Sequence, residues 1–142
     1  MNSYTECVTA VVSLYQNFEL RWCANGEHWR RFEVEFLQLP TEDIFSAPDM
    51  AKLHKGVQFV LEHLRQRGTL CTVYVHCKVG RTRSATLVGC YLIERYSYTP
   101  NECIKVMQAA RKQMLFEELQ LVALQEYYKN YMKLAKTTSA HC

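Results

Sequence analysis

The sequence predicts an α/β domain, a small sheet with helices packed on it. Three observations carry that expectation. Short β-branched or alternating runs mark three strands, longer runs with apolar residues at helical spacing mark four helices, and the order is strand, strand, helix, strand, then three helices. No internal repeat or linker breaks the 142 residues, so one domain over 1–142 is expected.

The first strand is Val8 to Leu14, a β-branched run suited to a buried position. Asn25-Gly26 reads as a turn, and Phe32 to Leu39 follows as a second strand. Its alternation sets Phe32, Val34 and Phe36 on the face opposite Glu33 and Glu35, and Pro40 ends it. From Pro48 to Arg67, Leu53, Val57, Val60, Leu61 and Leu64 share one helical face, closed by Gly68. Thr72 to His76 is a third, short strand. A helix from about Arg83 to Tyr96 should turn Ala85, Val88, Leu92 and Tyr96 inward. Thr99-Pro100-Asn101-Glu102 combines a capping box with a proline at the first helical position, so another helix starts there. The last helix, Phe116 to Leu134, is amphipathic through Leu121, Leu124, Tyr128 and Tyr131.

Composition excludes several classes. Hydrophobic residues at 49% and charged residues at 22% are globular values, which argues against extended disorder. A net charge of +3 suits an anionic substrate but lacks the basic stripe that nucleic acid requires. The seven cysteines are odd in number, irregularly spaced and free of any C-x-x-C pair, so reduced thiols are expected rather than a disulfide scaffold or zinc knuckle. His28, His54, His63 and His141 show no metal spacing. No apolar run is long enough to span a bilayer, and the N-terminus shows no targeting segment.

The chemistry lies in His76-Cys77-Lys78-Val79-Gly80-Arg81-Thr82-Arg83-Ser84. A strand enters this loop and a helix leaves it, so the loop sits at the positive end of a helix dipole, which favours the nucleophilic thiolate of Cys77. Backbone N–H groups of Lys78, Val79, Gly80, Arg81, Thr82 and Arg83 can form a nest round a phosphoryl dianion. Gly80 lets the backbone turn tightly there. The planar fork of Arg83 can grip two phosphoryl oxygens, and Ser84 can hydrogen-bond the Cys77 sulfur and ease its departure. His76 is expected to order the loop by hydrogen bonding. A general acid must come from elsewhere. Of two aspartates, Asp43 lies in a loop after a strand end and is the candidate, with Glu42 as fallback; Asp49 reads as a helix-start residue. Neither metal nor cofactor is called for.

The loop H-C-K-V-G-R-T-R-S resembles the dual-specificity branch of the protein tyrosine phosphatase superfamily. Leu53-His54-Lys55-Gly56-Val57-Gln58-Phe59, Tyr74-Val75-His76-Cys77-Lys78, and Ser84-Ala85-Thr86 before Tyr91-Leu92-Ile93 are similar to the mitochondrial phosphatidylglycerophosphate phosphatase family. That resemblance covers about residues 5–134. It implies the cysteine-phosphatase fold, here short of its N-terminal strands, because family members start some tens of residues earlier with a membrane-associated segment. It also implies an acid at Asp43, a phospholipid phosphomonoester substrate with peripheral membrane contact, and a mitochondrial location on the matrix side of the inner membrane. Family members carry Arg-Pro ahead of a glutamine before the last helix; this chain has Glu117-Glu118-Leu119 ahead of Gln120.

The loop alone equally admits a phosphoprotein substrate. The competing expectation from another class is a phosphate-binding module without turnover, if the shortened sheet holds the site poorly. Sulfur-transfer and arsenate-reducing domains share the C-x5-R spacing, but Gly80 and Ser84 fit phosphatases better.

Overall fold

Val8–Ser13 forms β1, buried from Ala10 onward. A strand covered on both faces needs apolar or small residues at successive positions, and Ala10, Val11 and Val12 supply them. β2 (Glu35–Gln38) and β3 (Thr72–His76) flank it, giving the order β2-β1-β3 with both pairings parallel. The computed structural model describes residues 8–22, 25–42, 47–68, 71–77, 82–112, 114 and 116–140. Parallel neighbours require crossovers, made here by residues 14–34 and by α2 (Met50–Arg67). The helices α3 (Arg83–Tyr96), α4 (Pro100–Ala110) and α5 (Glu118–Ala140) complete the α/β architecture, and α3 touches α2, α4, α5 and β3.

The helix ends follow the expected chemistry with adjustments. Asp49 is the N-cap of α2, its side chain accepting from the backbone N–H of Lys52 at 2.8 Å. Gly68 closes that helix at φ +65°, a conformation that costs a Cβ-bearing residue more. Thr99 caps α4 by accepting from Glu102 N–H, but the Glu102 carboxylate takes the Thr99 hydroxyl rather than returning to the backbone. Gly56 brings α2 close to its neighbours: a Cβ there would lie 2.7 Å from Leu87 Cδ1 and 2.9 Å from Leu39 Cδ1.

Three expectations are corrected. Asn25-Gly26 is a helix start: Asn25 caps α1 (Gly26–Arg31) in a reciprocal box with His28. Phe32 and Glu33 belong to the end of α1 and not to β2. Glu33 N–H donates to Arg30 O and Val34 N–H to Trp29 O, with Glu33 left-handed at φ +59°. That is a Schellman closure with glutamate where glycine is usual, and it leaves Phe32 77% exposed. Tyr96, expected to face inward, is half-exposed at the end of α3, stacked on Tyr98 and under Arg95.

At the amino end of β1 the register with β3 shifts between Val8 and Ala10, and Thr9 turns to α2. Its Oγ1 lies 2.7 Å from Nε2 of buried His63, whose Nδ1 lies 2.7 Å from Glu35 Oε2 on β2. A carboxylate can only accept, so Nδ1 carries a proton towards Glu35, and Thr9 Oγ1, which also lies 3.4 Å from Thr72 O, meets the ring at Nε2.

Candidate active site

In open parallel sheets ligands lie beyond the carboxyl ends of the strands, and here three of those ends converge. Leu14 follows β1, Thr41 follows β2, and Cys77 follows β3, each of them buried. α3 starts at the same place. Its N-cap position, Thr82, makes no side-chain cap hydrogen bond, so no capping side chain takes the first N–H groups of α3.

Cys77 is 6% exposed, and its Sγ donates to Ser84 Oγ at 3.3 Å. Once the thiol ionises, the hydroxyl can reverse that bond and donate to sulfur. Cys77 and Ser84, seven residues apart in sequence, are thus brought together.

Arg83 is fully buried, an unusual place for a guanidinium, and its partners explain how it is tolerated. Nη1 lies within hydrogen-bond distance of Thr41 O at 2.8 Å, Glu19 Oε1 at 2.9 Å and Leu14 O at 3.2 Å, and Nη2 donates to Glu19 Oε2 at 3.1 Å. The Nη1–Nη2 edge of the fork is therefore taken by a carboxylate. A phosphoryl group gripped by two nitrogens would use the Nε–Nη2 edge instead. The Glu19 side chain is itself 7% exposed. Glu19 is positioned by its own turn: it is the third residue of a 3-10 segment, Asn17–Trp22, and its Oε1 accepts from Gln16 N–H at 3.1 Å while its N–H donates to Gln16 O. The Tyr15 ring lies 5.8 Å below the Arg83 guanidinium carbon, a cation–π distance.

Sequence reasoning missed Glu19 and Tyr15. The available signal was indirect. An arginine meant to sit in a buried loop needs a carboxylate, and Glu19 is an acid on a connection that leaves the carboxyl end of a buried strand.

His76 departs from its expected role at Nε2. This ring nitrogen is buried and has no hydrogen-bond partner among the described residues. The ring is held by packing, stacked on Tyr74 at 4.9 Å and edge-on to Tyr15 at 4.9 Å. Burial pushes its pKa down.

Asp43 lies outside the described residues, and so do Lys78, Val79, Gly80 and Arg81. Glu42 is exposed. Gln120 is buried at the start of α5, its Oε1 accepting from Glu117 N–H, while Glu117 and Glu118 are exposed. Cys71, Cys77, Cys90 and Cys103 are free thiols. Among the described residues no group of three metal-ligating side chains occurs, and no helix is long and apolar enough to cross a membrane.

A family model describing the dual specificity phosphatase catalytic domain matches residues 5–130. Mouse "phosphatidylglycerophosphatase and protein-tyrosine phosphatase 1" is 40% identical over 125 residues, which cover 87% of this chain and 63% of the relative. An Arabidopsis thaliana phosphatidylglycerophosphate phosphatase is 31% identical over 132 residues, covering 93% of this chain and 37% of that protein. The chain thus spans less than two thirds of the length of these relatives. Among solved structures, PTPMT1 in complex with PI(5)P superposes with a TM-score of 0.84 at 36% identity, over 90% of this chain and 81% of the other. Tk-PTP in its active form shares the fold, with a TM-score of 0.76 at 24% identity over 86% and 79% of the two chains.

Proposed function

Because this chain belongs to the dual specificity phosphatase catalytic-domain family, we propose that it hydrolyses phosphate monoesters through a phosphocysteine at Cys77. One observation carries the reading: the buried Cys77 sulfur lies against Ser84 Oγ at the start of α3, whose first residue, Arg83, is locked in place by Glu19.

The sulfur attacks phosphorus as thiolate, forming the S–P bond as the ester P–O bond breaks. The departing oxygen takes a proton from Asp43. Amides of residues 78–83 and the Nε–Nη2 edge of Arg83 hold the equatorial oxygens, where charge is greatest in the transition state. Water then attacks phosphorus, giving its proton to Asp43, and the S–P bond breaks to release phosphate. The Ser84 hydroxyl donates to the departing sulfur. Glu19 touches no reacting atom and is a positioning residue.

The substrate class we favour is a phospholipid phosphomonoester of the phosphatidylglycerophosphate type, met at a mitochondrial membrane surface by a single catalytic domain with its core at about 5–134. The names of the mouse and Arabidopsis relatives and the PI(5)P complex of PTPMT1 support that choice. The mouse name supports phosphotyrosine as a second substrate.

Phosphate release from phosphatidylglycerophosphate in vesicles, set against a phosphotyrosine peptide, tests both parts. The expected result is turnover of both with the lipid preferred, and a loss above a thousandfold in Cys77→Ser with phosphate binding retained. Hydrolysis by Cys77→Ser near the wild-type rate would remove Cys77 as nucleophile, and exclusive peptide turnover would remove the lipid.

A further inference from the structure

A groove of about 850 Å³ opens between α2 and α5, and none of the residues given a role in the phosphatase reaction lines it. That volume is in the range of sites for drug-sized ligands, about 300–1,000 Å³. Met50, His54, Tyr131 and Leu134 line it, the last 65% exposed, and Glu94 of α3 contributes a carboxylate. Glu94 lies eleven residues beyond Arg83, about 16 Å along the helix.

The state of Glu94 decides what the groove fits. Its Oε2 accepts from Gln58 Nε2 at 3.0 Å, and its Oε1 accepts from the Tyr127 hydroxyl. Both donors are neutral. Among the described residues no lysine, arginine or histidine forms an ion pair with it; Arg95, next in sequence, instead lies over the Tyr96 ring at 5.0 Å. The charge is felt nearby, since burial and then Glu94 push the Tyr127 hydroxyl's pKa far up. A carboxylate that accepts from two neutral donors and has no ion-pair partner among the described residues leaves a place for a cation beside apolar side chains.

We propose that this groove binds an organic cation with an apolar body, an ammonium or guanidinium seated on Glu94 with its hydrocarbon along Met50 and Leu134. Tyr131, which lines the same groove, brings an aromatic ring to it. Charge complementarity selects this occupant. A fatty anion would meet the Glu94 charge, and a neutral alcohol would leave it uncompensated.

Calorimetric titration of the whole chain with n-octylammonium chloride, sodium octyl sulfate and 1-octanol separates these cases. The expected result is saturable binding of octylammonium, at least tenfold tighter than either of the others. Glu94→Gln, which keeps the size and hydrogen-bonding reach of the side chain, should weaken octylammonium at least tenfold and leave phosphate-ester hydrolysis unchanged. Ala135→Trp, which fills the groove without touching Glu94, should remove binding of all three. Octylammonium binding as tight in Glu94→Gln as in the wild type, or no tighter than octyl sulfate, would overturn the proposal. Full binding by the Ala135→Trp variant would overturn it as well.

Discussion

Replacing Glu19 by alanine should destabilise the protein more than most core truncations, and the size follows from the contacts of Arg83. The guanidinium is fully buried and would lose the carboxylate that takes its Nη1–Nη2 edge, while the Leu14 and Thr41 carbonyls beside it carry no charge. Two unit charges about 4 Å apart at an effective dielectric of 20 interact by about 4 kcal/mol. Removing one partner of a buried pair costs about 3–5 kcal/mol, which agrees. For a chain of this length each kcal/mol moves Tm by about 3–4 °C, so a fall of roughly 10–20 °C is expected. The assay is thermal unfolding followed by circular dichroism, with Arg83→Met and the double variant closing a cycle. A coupling energy above about 2 kcal/mol should emerge, with the double variant more stable than the sum of the single losses. At a temperature where the variant remains folded, turnover should fall roughly 10- to 100-fold through misplacement of the guanidinium. A Tm within about 3 °C of wild type would mean that the pair is not buried as described, and the reasoning fails.

Two further predictions test the surroundings of the site. Burial lowers the His76 pKa, so the unfolded ring takes up a proton near pH 6.5 while the folded ring still resists. Stability should therefore be full above about that pH and decline as the pH falls towards the lower folded value. His76→Phe keeps an aromatic ring against Tyr74 and Tyr15, and its Tm should fall less than that of wild type between about pH 7 and pH 5; parallel slopes would refute this. Gly56→Ala gains about 1 kcal/mol of helix propensity but forces Leu87 and Leu39 aside, which costs about 1–3 kcal/mol. A net loss of about 1 kcal/mol in urea denaturation is expected, and a more stable variant would show that the two leucines yield freely.

What could be read in advance was what is local. Cys77, Arg83 and Ser84 fall within eight residues, and the strand before them and helix after them carry their own periodicity, so the loop announces its chemistry. Glu19 does not, because it meets Arg83 across 64 residues of chain and only tertiary packing joins them. The boundary of β2 misled for a different reason. α1 is six residues long, too short to show a helical period, and its closing turn places Phe32, Glu33 and Val34 in an order that imitates strand alternation. A glycine at position 33 would have given the turn away; glutamate in the left-handed region conceals it. Tyr96 was assigned by spacing alone, which cannot tell that the last turn of α3 meets its neighbours through Ile93 and Glu94 and leaves Tyr96 on the open side.

The Thr9–His63–Glu35 chain bears on catalysis without being near it. β1 is anchored at one end by that chain and at the other by Arg83, whose Nη1 lies 3.2 Å from the carbonyl of Leu14 just past the strand. The two anchors are five residues apart, about 16 Å of extended chain, and they oppose sliding of the central strand along its neighbours. A slip of one residue would turn every β1 side chain to the opposite face and carry the Leu14 carbonyl away from the guanidinium. The remote histidine therefore acts as an index mark, setting where along the sheet the strand stops. Errors introduced there would surface at the far end as a misaligned arginine.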